Sequence, residues 1–162
     1  MNIPPRVVTI GDTFSATLNV SADSIKSFAT IVNDLNPLHH DDAYAAQSRF
    51  GGLIASGTQP TAHFMALLAT HFSTYAQPLG LEFDMKLKKA VHSDDTLTMT
   101  WRIVGAFWKA SVNGDLTQLE GNVVNQRGET VLIGKSTILV MPKPKPQPKP
   151  QTPSNVDGNN ER

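Results

Sequence analysis

The chain has 162 residues, 40% of them hydrophobic, with 14 basic and 14 acidic side chains and a formal net charge of zero. That length fits one domain able to bury about two-thirds of the surface its unfolded chain exposes. Cysteine is absent, which excludes disulfides, thiolate metal sites and thiol nucleophiles, and no Lys/Arg block lies in the part expected to fold, which leaves no electrostatic footprint for nucleic acid or a membrane surface.

Met1 to Val20 carries no apolar stretch of the secretory kind, and no window approaches the roughly 18 apolar residues of a membrane span, so a cytoplasmic protein is expected. From Thr13 to Val20, Phe14, Ala16, Leu18 and Val20 alternate with polar neighbours, which predicts a half-buried strand. Ser21 caps a helix with Ile25, Phe28, Ala29, Ile31 and Val32 on one side. That helix is expected to end near Asn36-Pro37, because a residue before proline avoids helical geometry. A short helix over Asp41 to Ser48 follows, broken by Arg49-Phe50-Gly51-Gly52. Ser56 or Thr58 then caps a long helix reaching about Gln77, with Pro60 tolerated in its first turn. Phe64, Leu67, Leu68, Phe72 and Tyr75 form its apolar stripe, widened by Ala62, Ala66 and Ala69, so a sheet is expected to wrap around it. After Gly80 the chain reads as strands: Leu81 to Leu87, Thr96 to Val104, Leu119 to Asn125 and Thr130 to Met141, with a turn at Arg127-Gly128. The pattern is α+β. From Pro142 onward, the last 21 residues hold six of the eleven prolines. Residues 142–162 therefore read as a disordered Pro/Lys-rich tail following a single domain over residues 1–141, with a proline-rich docking ligand as the sharper alternative.

The chemistry concentrates in Asp34-Leu35-Asn36-Pro37-Leu38-His39. On an unbroken helix, residues five apart point about 140° away from each other. A helix ending at the proline, with a turn after it, can instead aim the Asp34 carboxylate and the His39 imidazole into one pocket as an acid/base pair. The plainer reading is a helix-stop signal with Asp34 solvated. A second feature is Gly51-Gly52-Leu53-Ile54-Ala55-Ser56-Gly57-Thr58, a glycine-rich entry into the long helix. Its free backbone N–H groups form either an oxyanion site or an ordinary capped turn.

Together, Asp34-x-Asn36-Pro37-Leu38-His39 and Gly51 to Gly57 followed by a long apolar helix resemble the MaoC-like dehydratases and R-specific enoyl-CoA hydratases, over roughly Phe14 to Val140. Gly80 to Leu87 and Val91 to Leu97 resemble the family's next strand and the turn that follows. The resemblance implies a hot-dog fold, a long central helix wrapped by a curved antiparallel β-sheet, assembled as a homodimer or a dimer of dimers. It implies Asp34 and His39 as catalytic residues, the Gly57 amide as oxyanion donor, and Asn36, Ser56 and Thr58 as substrate-binding positions, Asn36 matching the motif's structural asparagine. Several relatives have His at the position of Ser56 and Trp-His at Thr58-Gln59, departures that bear on acyl-chain preference. The implied reaction is reversible hydration of a trans-2-enoyl thioester to a 3-hydroxyacyl thioester. It needs no metal or redox cofactor, and CoA enters only as part of the acyl-CoA substrate. An acyl-CoA thioesterase of the same superfamily and a non-catalytic acyl-binding subunit are the alternatives.

Other residues are given quieter roles. His40 is expected to be a solvated loop residue, and His63 and His71 core or rim histidines. Ser56 lacks the Gly-x-Ser-x-Gly elbow of a serine hydrolase. Trp101, Phe107 and Trp108 read as core or interface aromatics.

Overall fold

Strand alternation and capping operate as expected at the start of the domain. The structure, a computed structural model, describes residues 6–146. β1 spans Thr13–Asn19. Ser21 caps α1 (Ala22–Ile31) through a reciprocal capping box: the Ser24 amide donates to the Ser21 hydroxyl at 3.1 Å and the Ser21 amide to the Ser24 hydroxyl at 3.0 Å. α1 stops earlier than the Asn36-Pro37 signal predicts. Asn33 takes a left-handed conformation (φ 57°), its N–H donates to Thr30 O and the Asp34 N–H donates to Ala29 O at 2.8 Å. This is a Schellman ending with asparagine in the position glycine usually holds. Ile31 and Val32 therefore leave the apolar face and are 81% and 45% exposed, while Ile25 and Ala29 are buried.

A 3₁₀ turn at Pro37–His39 leads to α2 (Asp42–Gln47) and then to α3 (Thr58–Ser73). β2 (Ala76–Leu87) begins before Gly80 and includes Pro78, which an edge strand tolerates. β3 (Thr96–Lys109), β4 (Gly114–Asn125) and β5 (Thr130–Pro142) complete an antiparallel sheet in the order β1-β3-β4-β5-β2. Pro142, the first residue assigned to the tail, is instead paired with Ala76 at the end of β5. Residues 147–162, most of that tail and its docking alternative, lie outside the described residues. Among those described, no helix is long and apolar enough to cross a membrane.

α3 is seated on the sheet by one aromatic stack. The rings of Phe64 and Trp101 lie 4.0 Å apart and 9° from parallel, and Trp101 Nε1–H donates to Phe64 O at 2.8 Å. Both residues are fully buried. The space for them comes from Gly121 and Gly134, cross-strand partners on β4 and β5. A Cβ on Gly121 would lie 2.6 Å from Trp101 and 2.7 Å from Phe64, and one on Gly134 would lie 2.9 Å from Phe64. Any larger residue closes the floor on which the helix sits. The sequence overstates how far α3 is enclosed, however. Phe64, Leu68 and Phe72 are buried, but Ala62, Ala66 and Ala69 are exposed, because one copy of the sheet covers only one side of the helix.

Trp101→Ala is expected to cost about 3–5 kcal/mol of stability. Trp101→Phe keeps an aromatic stack and loses the bond to Phe64 O, so about 1–3 kcal/mol is expected, much of it from the orphaned carbonyl. Urea unfolding of both variants checks the ranking, which an equal loss would contradict.

Candidate functional site

The six residues singled out from Asp34 to His39 fold through two successive side-chain turns. Asp34 follows the αL residue that ends α1, and its Oδ1 accepts from the Asn36 amide at 3.2 Å. Asn36 then caps the 3₁₀ turn, its Oδ1 accepting from the Leu38 amide at 3.1 Å. These are the local hydrogen bonds Asp and Asn make in turns, and the extended backbone of Asn36 (φ −62°, ψ 122°) is what the following proline requires. The Asn36 side-chain oxygen thus serves the turn itself.

The turn places Asp34 Oδ2 3.4 Å from His39 Nε2. His39 is 6% exposed, and its Nδ1 lies 2.8 Å from the carbonyl oxygen of Ile54. A carbonyl can only accept, so Nδ1 carries hydrogen, and in the neutral ring Nε2 presents its lone pair toward Asp34. Two acceptors thus face each other at a separation longer than a direct N–H···O bond.

Ile54 belongs to a short bracket that holds several elements together. Its amide donates to Leu38 O at 3.3 Å, the Ala55 amide to Val91 O at 2.8 Å and the Ser93 amide to Leu53 O at 3.1 Å. The bracket runs directly into α3, and Gly57 occupies the N-cap position with no side-chain cap, contrary to the expectation that Ser56 or Thr58 caps the helix. Among the described residues, the Gly57 amide meets no acceptor. The conformation there is ordinary (φ −57°), so freedom of φ does not explain the glycine. A Cβ would stand 2.5 Å from Leu87 Cδ1, the movable end of an exposed side chain, so close approach does not by itself require glycine there.

Ser56 is 2% exposed, and its hydroxyl lies 2.7 Å from that of Thr58. With Thr58 as donor in that pair, the Ser56 hydrogen is left to Asp34. The Ser56 hydroxyl is the largest influence holding the Asp34 carboxyl below its ordinary value of 3.8, followed by the Asn36 amide; partial burial opposes them, and the charges of His39 and His40 add to them. His40 is therefore no bystander. It is partly buried, and its Nε2–H donates to the Asp34 carbonyl at 2.6 Å, which ties the turn together. The pairing of a histidine with the backbone six residues earlier leaves no periodic trace in a sequence. His63 is exposed and His71 stacks on Phe14 at 3.7 Å, both at the rim of the core. Of the three aromatics, Trp101 is fully buried and Phe107 is 60% exposed.

A cavity of about 410 Å³ opens beside the pair, lined by His39 and Gly57 together with Ile54, Leu87, Arg49 and Lys88 among others. Asp34, Asn36, Ser56 and Thr58 are not on its wall, and Asp34 meets it across the imidazole. The arrangement offers an imidazole and an unpaired amide on one cavity, with the Asp34 carboxylate 3.4 Å from the imidazole. Because its pKa is lowered, Asp34 stays ionised as pH falls to 3.8 and is neutralised only below that, so its ability to accept a proton persists throughout the neutral range. In Ser56→Ala the carboxyl is expected to titrate at higher pH, which carbon NMR of the Asp34 side chain reads directly. An unchanged titration would remove Ser56 from this role.

The fold has counterparts. Residues 6–124 match the family model described as MaoC like domain. The R-hydratase PhaJ1 from Pseudomonas aeruginosa superimposes with a TM-score of 0.73 at 23% identity, over 90% of this chain and 92% of that one. A MaoC-like dehydratase from Rhodospirillum rubrum does so with 0.72 at 28% identity, over 85% and 96%. An uncharacterized protein of Bacillus subtilis (strain 168), YdeM, is 32% identical over 82% of this chain and 94% of its own length. The α+β architecture of α3 laid on the five-stranded antiparallel sheet is accordingly the hot-dog fold. Since one family model spans most of the domain, and the Asp34–His39 turn and the Gly57 helix entry lie within it, the chain belongs to the MaoC-like domain family.

Proposed function

We propose that the protein is a hydro-lyase that reversibly adds water to a trans-2-enoyl thioester, giving a 3-hydroxyacyl thioester, with acyl-CoA as substrate. The observation carrying this reading is the pair of acceptors, Asp34 Oδ2 and His39 Nε2, 3.4 Å apart, beside a cavity that also receives the Gly57 amide. A water molecule has two hydrogens to give, one to each acceptor, and its oxygen lone pairs then face outward. The thioester carbonyl accepts from the Gly57 amide, which stabilises the enolate-like charge that develops there; a donor of this kind is worth about 10²–10³ in rate. Asp34 takes the proton of the attacking water as its oxygen bonds to the β-carbon, and a proton held by the pair is delivered to the α-carbon on the same face. His39 keeps the orientation set by Ile54 throughout. Dehydration is the same path in reverse.

Family membership and the likeness to R-hydratases and dehydratases support a lyase, and the acidity of Asp34 supports its being the ionised partner at neutral pH. Hydration is tested by loss of enoyl absorbance with crotonyl-CoA, monitored beside free-thiol release. Absorbance loss without thiol is expected, with Asp34→Asn and His39→Ala each reducing kcat/KM by more than about 10². Thiol release at the same rate would establish a thioesterase. Acyl-CoA binding without turnover by the wild type would leave an acyl-binding subunit.

The protein is further proposed to work as a homodimer, alone or as a dimer of dimers. β2 is an open edge, and Leu79 and Leu81 on it are each 53% exposed, while α3 leaves its alanine flank uncovered. An edge strand with exposed apolar side chains is a surface proteins ordinarily cover. Leu81→Lys is expected to shift the sedimentation coefficient toward the monomer, and an unchanged value would place the interface elsewhere.

A further inference from the structure

The face of the sheet turned away from α3 carries a pattern that the fold of one chain does not use. Trp101 on β3, Gly121 on β4, and Gly134 and Met85 on β5 and β2 meet on the α3 side of the sheet. Side chains alternate along a strand, so their neighbours Arg102, Glu120, Lys135 and Asp84 point to the opposite face. These four are direct cross-strand partners: Arg102 lies beside Glu120, Glu120 beside Lys135 and Lys135 beside Asp84. They form an exposed row of alternating sign across four strands. Within it, Lys135 Nζ and Glu120 Oε1 form an ion pair at 3.3 Å. Asp84 and Arg102, at the two ends, have no ion-pair partner among the described residues.

A second row crosses the same four strands on the same face. Phe107 pairs with Leu116, Leu116 with Leu139 and Leu139 with Leu79, and directly paired residues share a face. The two ends of this apolar row, Phe107 and Leu79, are 60% and 53% exposed. Leu139 is buried yet stands outside the main core cluster. Beside the charged row is a cavity of about 420 Å³, lined by Glu82, Val104, Gln118 and Thr137 among others. It gives the longer side chains of a facing molecule room to interdigitate.

We propose that this face packs against the same face of a second copy of the chain, about a two-fold axis that runs along the strands between β4 and β5. Such an axis lays β4 over β5 of the other copy and β3 over its β2. Asp84 of each copy then meets Arg102 of the other, Lys135 meets Glu120, Phe107 meets Leu79 and Leu116 meets Leu139. Every charge faces its opposite and every apolar side chain an apolar one, which is the self-complementarity an isologous interface requires. Aligned packing of two sheets about 10 Å apart is an ordinary way to bury such a face. The charged row is neutral as a whole, so it suits a copy of itself and not a strongly acidic or basic partner. Together with the β2-edge homodimer proposed above, this contact builds the dimer of dimers. It depends neither on that edge nor on the reaction the protein performs.

Sedimentation velocity of the full chain over a concentration series tests this with Asp84→Arg and Arg102→Asp, each alone and the two mixed. Alone, each variant sets like charges against each other at both symmetric contacts. The assembly mass is expected to halve, with the dissociation constant raised about tenfold or more. In an equimolar mixture the ends of the rows are complementary again, and the wild-type mass is expected to return. Effects within one sheet, beside Lys135 and Glu120, are the same alone and mixed, so recovery reports contact between copies. Both side chains are exposed, so the variants are expected to fold, which circular dichroism checks. Phe107→Ser alters no charge and is expected to weaken the same association. A mass that neither charge variant changes, or a mixture as dissociated as each variant alone, would overturn the proposal and leave the face to solvent or to a different protein. Leu81→Lys acts on the β2 edge alone, so a loss of mass there with none from the charge variants would keep the edge contact and reject this one.

Discussion

A single hydrogen bond, from His39 Nδ1 to the carbonyl of Ile54, organises the candidate site. It is buried, so its loss would strand a carbonyl and a ring nitrogen away from water. More consequentially, it decides which ring nitrogen is free. The same residue that accepts this bond donates its amide to Leu38, and its neighbours pair with Val91 and Ser93. The Asp34-to-His39 turn, the loop before β3 and the entry to α3 are thereby fastened to one three-residue bracket. Gly57 follows that bracket after a single intervening residue, which is why the amide and the imidazole reach the same cavity.

The bracket would be useless if α3 could slide. Its position is determined by Phe64 and Trp101, stacked over a pair of glycines that face each other across β4 and β5. Large aromatic rings supply burial and geometric preference together, and the missing side chains of Gly121 and Gly134 convert that preference into a unique seat. Stability is concentrated at the centre of the sheet, and the groups proposed to react stand at its margin, on turns and at a helix start. The opposite flank of α3 and the free edge of β2 remain uncovered, so a single chain is an incomplete burial solution for its own long helix.

Electrostatics at the margin follow from side-chain hydrogen bonding more than from burial. Asp34 keeps a third of its side chain exposed (32%), yet the Ser56 hydroxyl and the Asn36 amide hold its carboxyl below the ordinary value. Its near neighbour His39 is almost wholly enclosed, with one nitrogen committed to the backbone. One group is thus readily kept ionised and the other is held in place, a division of labour suited to moving a proton through a shared water.

Read alone, the sequence determined what local chemistry can determine: the period-2 strands, the capped start of α1, and a break after α1 that lets residues five apart converge, though the helix ends at Asn33 rather than at Asn36-Pro37. Each depends only on side chains near in the chain, through alternation, Asx turns and the backbone restriction proline imposes. The Asp34-to-His39 and Gly51-to-Gly57 motifs also carried the family resemblance and hence the hot-dog expectation. The stop at Asn33 was available to the same reasoning, but proline is the louder signal. Tertiary structure alone decided the rest, because it involves partners distant in sequence: Ile54 selecting the His39 tautomer, Ser56 reaching Asp34, and Leu87 approaching Gly57. How much of α3 is buried was likewise undecidable from its composition, since an apolar flank reads the same whether it faces its own sheet or another molecule.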